Sequence, residues 1–183
     1  LVGLRADFII SSRGMIKSYT NIVNEGLDPL VKQDFQGTED ALPSIVIPFP
    51  EAPVGVGAKW SVTRQFPLRG LDMTRVAVYE LTKLENGTGT VTVNVEQSAR
   101  PGDVEVEGRP DAKQRVIKMT TTSTGSHDFS LTKILAKTGV LSSTTEADMK
   151  VELAPGEKQV MHIELKGTQK ATETTAPVKT TPR

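Results

Sequence analysis

Apolar and polar side chains alternate with a period of two along most of this chain, which fits strands lying on a half-buried sheet and no helix. In TVTVNVEQ (90–97), Val91, Val93 and Val95 point one way, and Thr90, Thr92, Asn94 and Glu96 the other. DVEVEG (103–108) repeats the pattern with Val104 and Val106, and DMKVEL (148–153) with Met149, Val151 and Leu153. VMHIELK (160–166) sets Met161, Ile163 and Leu165 inward and leaves His162 on the wet face. One wet face per strand is the pattern of antiparallel sheets.

Turn signals separate these segments. ENGT (85–88) carries Asn-Gly between two strand patterns, the strongest short hairpin signal, and APGEK (154–158) joins the last two strands in the same manner. SSRGMI (11–16) suggests a hairpin between DFIIS and MIKSYT, while ARPGD (99–103) and GRPDAK (108–113) punctuate the middle. Helical candidates are few. DPLVKQDFQGTEDAL (28–42) has Asp28 as N-cap and Pro29 at the first helical position. DFSLTKILAKTG (128–139) is ambiguous: it reads first as a short helix or turn, capped by Asp128 and ending at Gly139, with another strand as the alternative. The expected fold is therefore all-β with one or two short helices: a curved antiparallel sheet or an incomplete β-barrel. The 183 residues are enough for one β-rich domain over 1–167, followed by a flexible Thr/Pro-rich tail over 168–183 that lacks large apolar residues.

Composition removes several classes of function. Lys plus Arg and Asp plus Glu both number 22, and no basic stripe stands out, so nucleic acid is not an expected partner. Cysteine is absent, which removes disulfides, thiolate metal sites and cysteine nucleophiles. Apolar runs extend only a few residues, so no transmembrane segment is expected. Aromatics make up 4% of the chain, too few for a stacking platform for sugars or single-stranded nucleic acid.

PFPEAPVGVGAKW (48–60) sets three prolines and two glycines ahead of Trp60, the single tryptophan. A phosphate-binding glycine loop needs a strand before it and a helix after it, whereas AKWSVTRQF alternates as a strand and the third glycine is missing. The segment reads as a stiff connector that plugs Trp60 into a core, and no cofactor is expected. His127 in TGSHDFS neighbours Ser126 and Asp128, yet adjacent strand residues point apart, so both histidines read as surface or loop residues. No zinc-protease spacing appears, and alternating acids such as Glu105 and Glu107 read as solvated faces. The sequon at Asn86 is explained by the hairpin turn.

LPSIVIPFPEAPVGVGAKW, followed by VYELTKLENGTGTVTVNVEQSA, resembles an uncharacterised family of bacterial exported proteins marked by a P-V-G-V-G-A-x-W segment. GSHDFSLTKILAKTG and KVELAPGEKQVMHIEL look like the C-terminal half of the same family, and F-P-E-A-P-V stands where L-P-x-x-P-V is usual. The resemblance implies a periplasmic, envelope or secreted location and no established chemistry. Thr- and Ser-rich runs agree with export. The chain starts at Leu1 and not at Met, so a signal peptide or a lipid-anchored cysteine ahead of it is part of this expectation.

Strand RVAVYELTK (75–83) carries apolar residues on both faces, as if covered on both sides or lining a cavity. The first expectation is thus a non-enzymatic exported envelope protein that binds a lipid or other hydrophobic small molecule in a β-concavity. Its lining would be Ile45, Ile47, Phe49, Trp60, Val76, Val78 and Tyr79. The alternative is a structural or protein-interaction module held at the cell surface by its tail, with another envelope protein as partner. A hydrolase built on His127 and carboxylates stands third. An open cavity would favour the first, and a filled core with an exposed apolar patch the second.

Overall fold

The computed structural model describes residues 4–23, 46–68, 70–105, 113–133, 135–154 and 157–172. The described residues hold nine strands and no helix: β1 (Leu4–Ile10), β2 (Ile16–Val23), β3 (Lys59–Leu68), β4 (Leu71–Glu85), β5 (Thr88–Ala99), β6 (Gly102–Glu105), β7 (Lys113–Ser130), β8 (Thr138–Ala154) and β9 (Glu157–Thr172). β1 and β2 form a separate hairpin. The rest make one open antiparallel sheet in the order β3-β4-β5-β7-β8-β9, with β6 also paired to β7. It is a meander that does not close into a barrel, as the alternating pattern and the hairpin turns anticipate.

Each connection has a local cause. Asn86 and Gly87 both take positive φ, 48° and 74°, the geometry of a primed two-residue turn between β4 and β5. Ala154 opposite Glu157 gives the β8–β9 hairpin an equally short link. Between β5 and β6, Pro101 has no N–H to give to a ladder, and the strand breaks there. Both pieces continue along one long partner, since Thr88–Ala99 pairs with the C-terminal part of β7 and Gly102–Glu105 with its first residues.

Directly opposed residues share a face, so the registers define two surfaces. On the inner face one row runs Trp60, Tyr79, Val93, Gly125, Leu141, Gln169 across six strands. The main core lies over the β3–β5 part of this face, where Leu81 and Val91 are almost completely buried. Burial of side chains of this size contributes about 1.5–3 kcal/mol each. A smaller cluster of Leu71, Met73 and Val116 lies nearer the other end of the strands, with Phe66, Met119 and Met149 packed beside it. The outer face carries Thr122, Thr124, Ser142, Thr144 and Thr168, all on β7, β8 and β9.

Several expectations need correction. No helix spans 128–139: β7 continues to Ser130, a turn covers Leu131 and Thr132, and β8 begins at Thr138. Asp128 caps nothing, because its carboxylate accepts hydrogen bonds from Thr90 and Thr138 on the neighbouring strands. The helix read at 28–42 lies outside the described residues. β4 is covered on one face only: Ala77, Tyr79 and Leu81 are buried, whereas Val78 is 39% exposed. The segment read as a tail begins too early, since β9 carries on through Thr172 with Thr168 opposite Ser142. Threonine suits an exposed strand as well as a linker, and the alternation is lost there because the inner-face positions after Leu165 are Gly167 and Gln169.

Candidate functional site

The strap 46–58 crosses the inner face and supplies what the sheet lacks. Ile47 is buried in the main cluster, and Phe49 and Val54 pack against it. Phe49 stacks on Trp60 with centroids 5.6 Å apart and meets Phe129 edge-on at 5.1 Å. Trp60 in turn stacks on Tyr79 at 5.6 Å and 14°. Trp60, at the start of β3, donates its Nε1–H to the carbonyl of Pro48 at 2.7 Å. Backbone bonds from Gly57 to Leu81 and from Leu81 to Ala58 fasten the strap to β4, and Gly57 adopts φ +87° to make this turn. The bond from Phe49 N–H to the Arg13 carbonyl ties in the β1–β2 hairpin. Burial pushes the Tyr79 hydroxyl above its ordinary pKa, partly offset by Arg75 and Arg64.

Four of the residues singled out from sequence therefore meet: Ile47, Phe49, Trp60 and Tyr79 pack together. Val76 and Val78 face away from them, on the outer side of β4, because they alternate with Ala77 and Tyr79. Ile45 lies outside the described residues.

His127 is a further correction. It is neither a surface nor a loop residue but a 5%-exposed member of β7, on the inner face between Val91 and Gly139. Its Nδ1 has no hydrogen-bond partner among the described residues. Burial, with a smaller contribution from Arg75, lowers its pKa, and Asp128 opposes this weakly. Asp128 itself projects to the outer face, where Thr138 and Thr90 hold its carboxyl below the usual range. Asp128 therefore does not orient the His127 ring in the way that a general base is held by its acid. Among the described residues no group of three His, Asp or Glu side chains is placed to hold a metal ion.

The outer face carries a shallow groove of about 490 Å³, lined by Thr122, Thr124, Ser142, Thr144, Lys166 and Thr168. Its lining is hydroxyl-bearing side chains and a lysine, unlike the aliphatic and aromatic lining expected from sequence. Apolar side chains are exposed at scattered positions such as Ile9, Val56 and Leu131, and three of them lie together on β9, the last strand of the sheet. Leu165 is 62% exposed and Met161 41%, on the inner face that was read as inward-facing core. Val160 is exposed on the opposite side. The alternation correctly separates the faces of β9, but strand order decides whether a face is covered. The last hairpin of a meander was the available signal, because its outer strand has a neighbour on one side only.

Beside these residues, His162 binds Asp148 of β8 at 2.7 Å, and this contact raises the histidine pKa. Glu164 pairs with Lys166 at 2.7 Å. No described helix is long and apolar enough to cross a membrane. Comparison with protein-family models, with curated proteins and with solved structures finds no match to the chain.

Proposed function

We propose that the protein is a non-enzymatic exported envelope protein that acts as a structural, protein-interaction module and meets its partner along β9. The observation that carries this reading is the contrast between a core closed by its own strap and the Met161 and Leu165 side chains left exposed at the sheet margin. Among the described residues β9 has a strand neighbour on one side only; such an edge offers backbone donors and acceptors, and apolar side chains beside them supply contact area. Export is supported by the resemblance of the Pro53–Trp60 segment to exported proteins and by the abundance of threonine.

The test is photo-crosslinking in cells from a reactive residue placed at Leu165, compared with one at Ser61 on the opposite margin. Polypeptide adducts from position 165 and not from 61 are expected. Equal labelling from both, or none from 165, would sink the reading. A lipid-sized, solvent-extractable adduct on the native protein mass would transfer the case to a hydrophobic ligand.

A further inference from the structure

β9 is complementary to itself. Two antiparallel copies of one edge strand are related by a two-fold axis normal to the sheet, which keeps inner face with inner face and outer with outer. With the axis at Ile163, Ile163 faces its own copy and Met161 faces the partner's Leu165, twice by symmetry. These three residues all lie on the inner face. On the outer face the same register sets His162 opposite the partner's Glu164 and Val160 opposite the partner's Lys166. Lys158 meets the partner's Thr168, and no like charges are opposed.

Neighbouring registers do worse. An axis at Glu164 sets that carboxylate against itself and His162 against Lys166, and an axis at His162 sets Lys158 against Lys166. An axis at Leu165 loses the apolar row, leaving Ile163 opposite Gly167 and Met161 opposite Gln169. Cross-strand apolar and opposite-charge pairs are favourable and like charges are not, so these side chains select one register. His162 would then lie between Asp148 of its own β8, at 2.7 Å, and the carboxylate of the partner.

From this complementarity we infer that β9 docks against β9 of a second copy of this chain, centred on Ile163, joining two sheets into one continuous antiparallel sheet. The inference rests on the interaction reading above and names its partner.

The chain has no cysteine, so single substitutions report the register directly. At the centre of a two-fold strand pair the Cα atoms lie about 4.5–5.5 Å apart, within disulfide range. Under mild oxidation Ile163→Cys is expected to give a covalent dimer. Met161→Cys and Leu165→Cys, each alone, leave their thiols about 13 Å from their own copies and stay uncrosslinked. The two mixed together form the heterodisulfide. Sedimentation of the unmodified chain should show a concentration-dependent monomer–dimer equilibrium, weakened about tenfold by Glu164→Lys because the pair occurs twice.

A monomer at all concentrations overturns the inference, as does crosslinking of Leu165→Cys to itself or open-ended growth through heterologous edges. In each case adducts from position 165 to another polypeptide would leave the broader interaction reading standing. With no adduct of any kind, both fall.

Discussion

Two rings of the inner face lie over glycines of the neighbouring strand. Phe129 sits directly opposite Gly89, and His127 directly opposite Gly139. A Cβ on Gly89 would come within 2.6 Å of Phe129 Cζ, and one on Gly139 within 2.9 Å of His127 Cε1 and closer still to Nδ1. Neither glycine takes positive φ, so crowding requires them: the His127 ring at Gly139, and the Lys83 carbonyl oxygen at 2.5 Å together with the Phe129 ring at Gly89. Gly139→Ala should therefore destabilise the protein by about 1–3 kcal/mol through overpacking, measured as a lower urea midpoint. An unchanged midpoint would mean that the ring moves aside without cost. His127 adds a pH dependence. Burial lowers its folded pKa, so below its ordinary value of about 6.5 the unfolded chain binds a proton that the folded chain does not. Stability is then lost as pH falls from that value toward the folded pKa. Replacing the ring with one that cannot titrate, His127→Phe, should flatten the fall in urea midpoint between about pH 7 and pH 5. At neutral pH the same change removes a buried nitrogen without a partner, and should raise stability by up to about 1 kcal/mol. A variant as acid-sensitive as the parent would assign the effect to other groups.

At the scale of elements, the strap and β3 form one unit joined by Trp60. Its indole N–H on the Pro48 carbonyl fixes the strap across the sheet, and its ring is stacked from both sides. Trp60→Phe keeps most of the stacking but leaves the carbonyl without its donor, an expected loss of about 1–2 kcal/mol. Trp60→Ala should cost about 3–5 kcal/mol, with loss of the near-ultraviolet aromatic signal. If both variants cost the same, the hydrogen bond, not the ring, is the fastener. This anchoring was legible in the sequence, because a lone Trp after prolines and glycines and before an alternating run has few other uses. The strands were legible for the same reason, as period two is imposed by the pleat. The segment 128–139 misled because an Asp eleven residues ahead of a Gly also fits a capped helix. Only the strands on either side of Asp128 show that Thr90 and Thr138 take up its carboxylate. The lining set was half legible: Ile47, Phe49, Trp60 and Tyr79 do converge, but their mutual packing is a tertiary fact. On the outer face, the Asp148–His162 contact is readable by proton resonance. The histidine should titrate above its ordinary value, and Asp148→Asn should bring it down. A titration that Asp148→Asn leaves unmoved would mean that the contact does not persist in solution.

Across the whole molecule, burial falls from the middle of the sheet toward β9. Val91, Val93 and Val95 of β5 are 0%, 3% and 7% exposed, whereas none of the described side chains of β9 is buried. β8 stands between, with Leu141, Ala147 and Val151 buried among exposed neighbours. β9 is held by its ladder to β8 and by hydroxyl and charged contacts such as Ser142–Thr168 and Asp148–His162. Exposed contacts of this kind contribute little each. A strand without buried apolar side chains opens at a small fraction of the global unfolding free energy. Amide hydrogen exchange at high dilution should therefore rank β9 fastest, β8 intermediate, and β4 and β5 slowest, with the inner amides of β5 exchanging only through global unfolding. Concentration adds a second axis. If the free edge of β9 pairs with a second copy, its outward-facing amides gain protection as the protein is concentrated, while those of β5 do not change. Exchange of β9 as slow as that of β5 at dilution would contradict the burial gradient, because none of the described β9 side chains is buried. Slow exchange of β9 appearing only on concentration would place the missing contacts between molecules, at the one long strand whose second edge the described fold leaves unpaired on that side of the sheet.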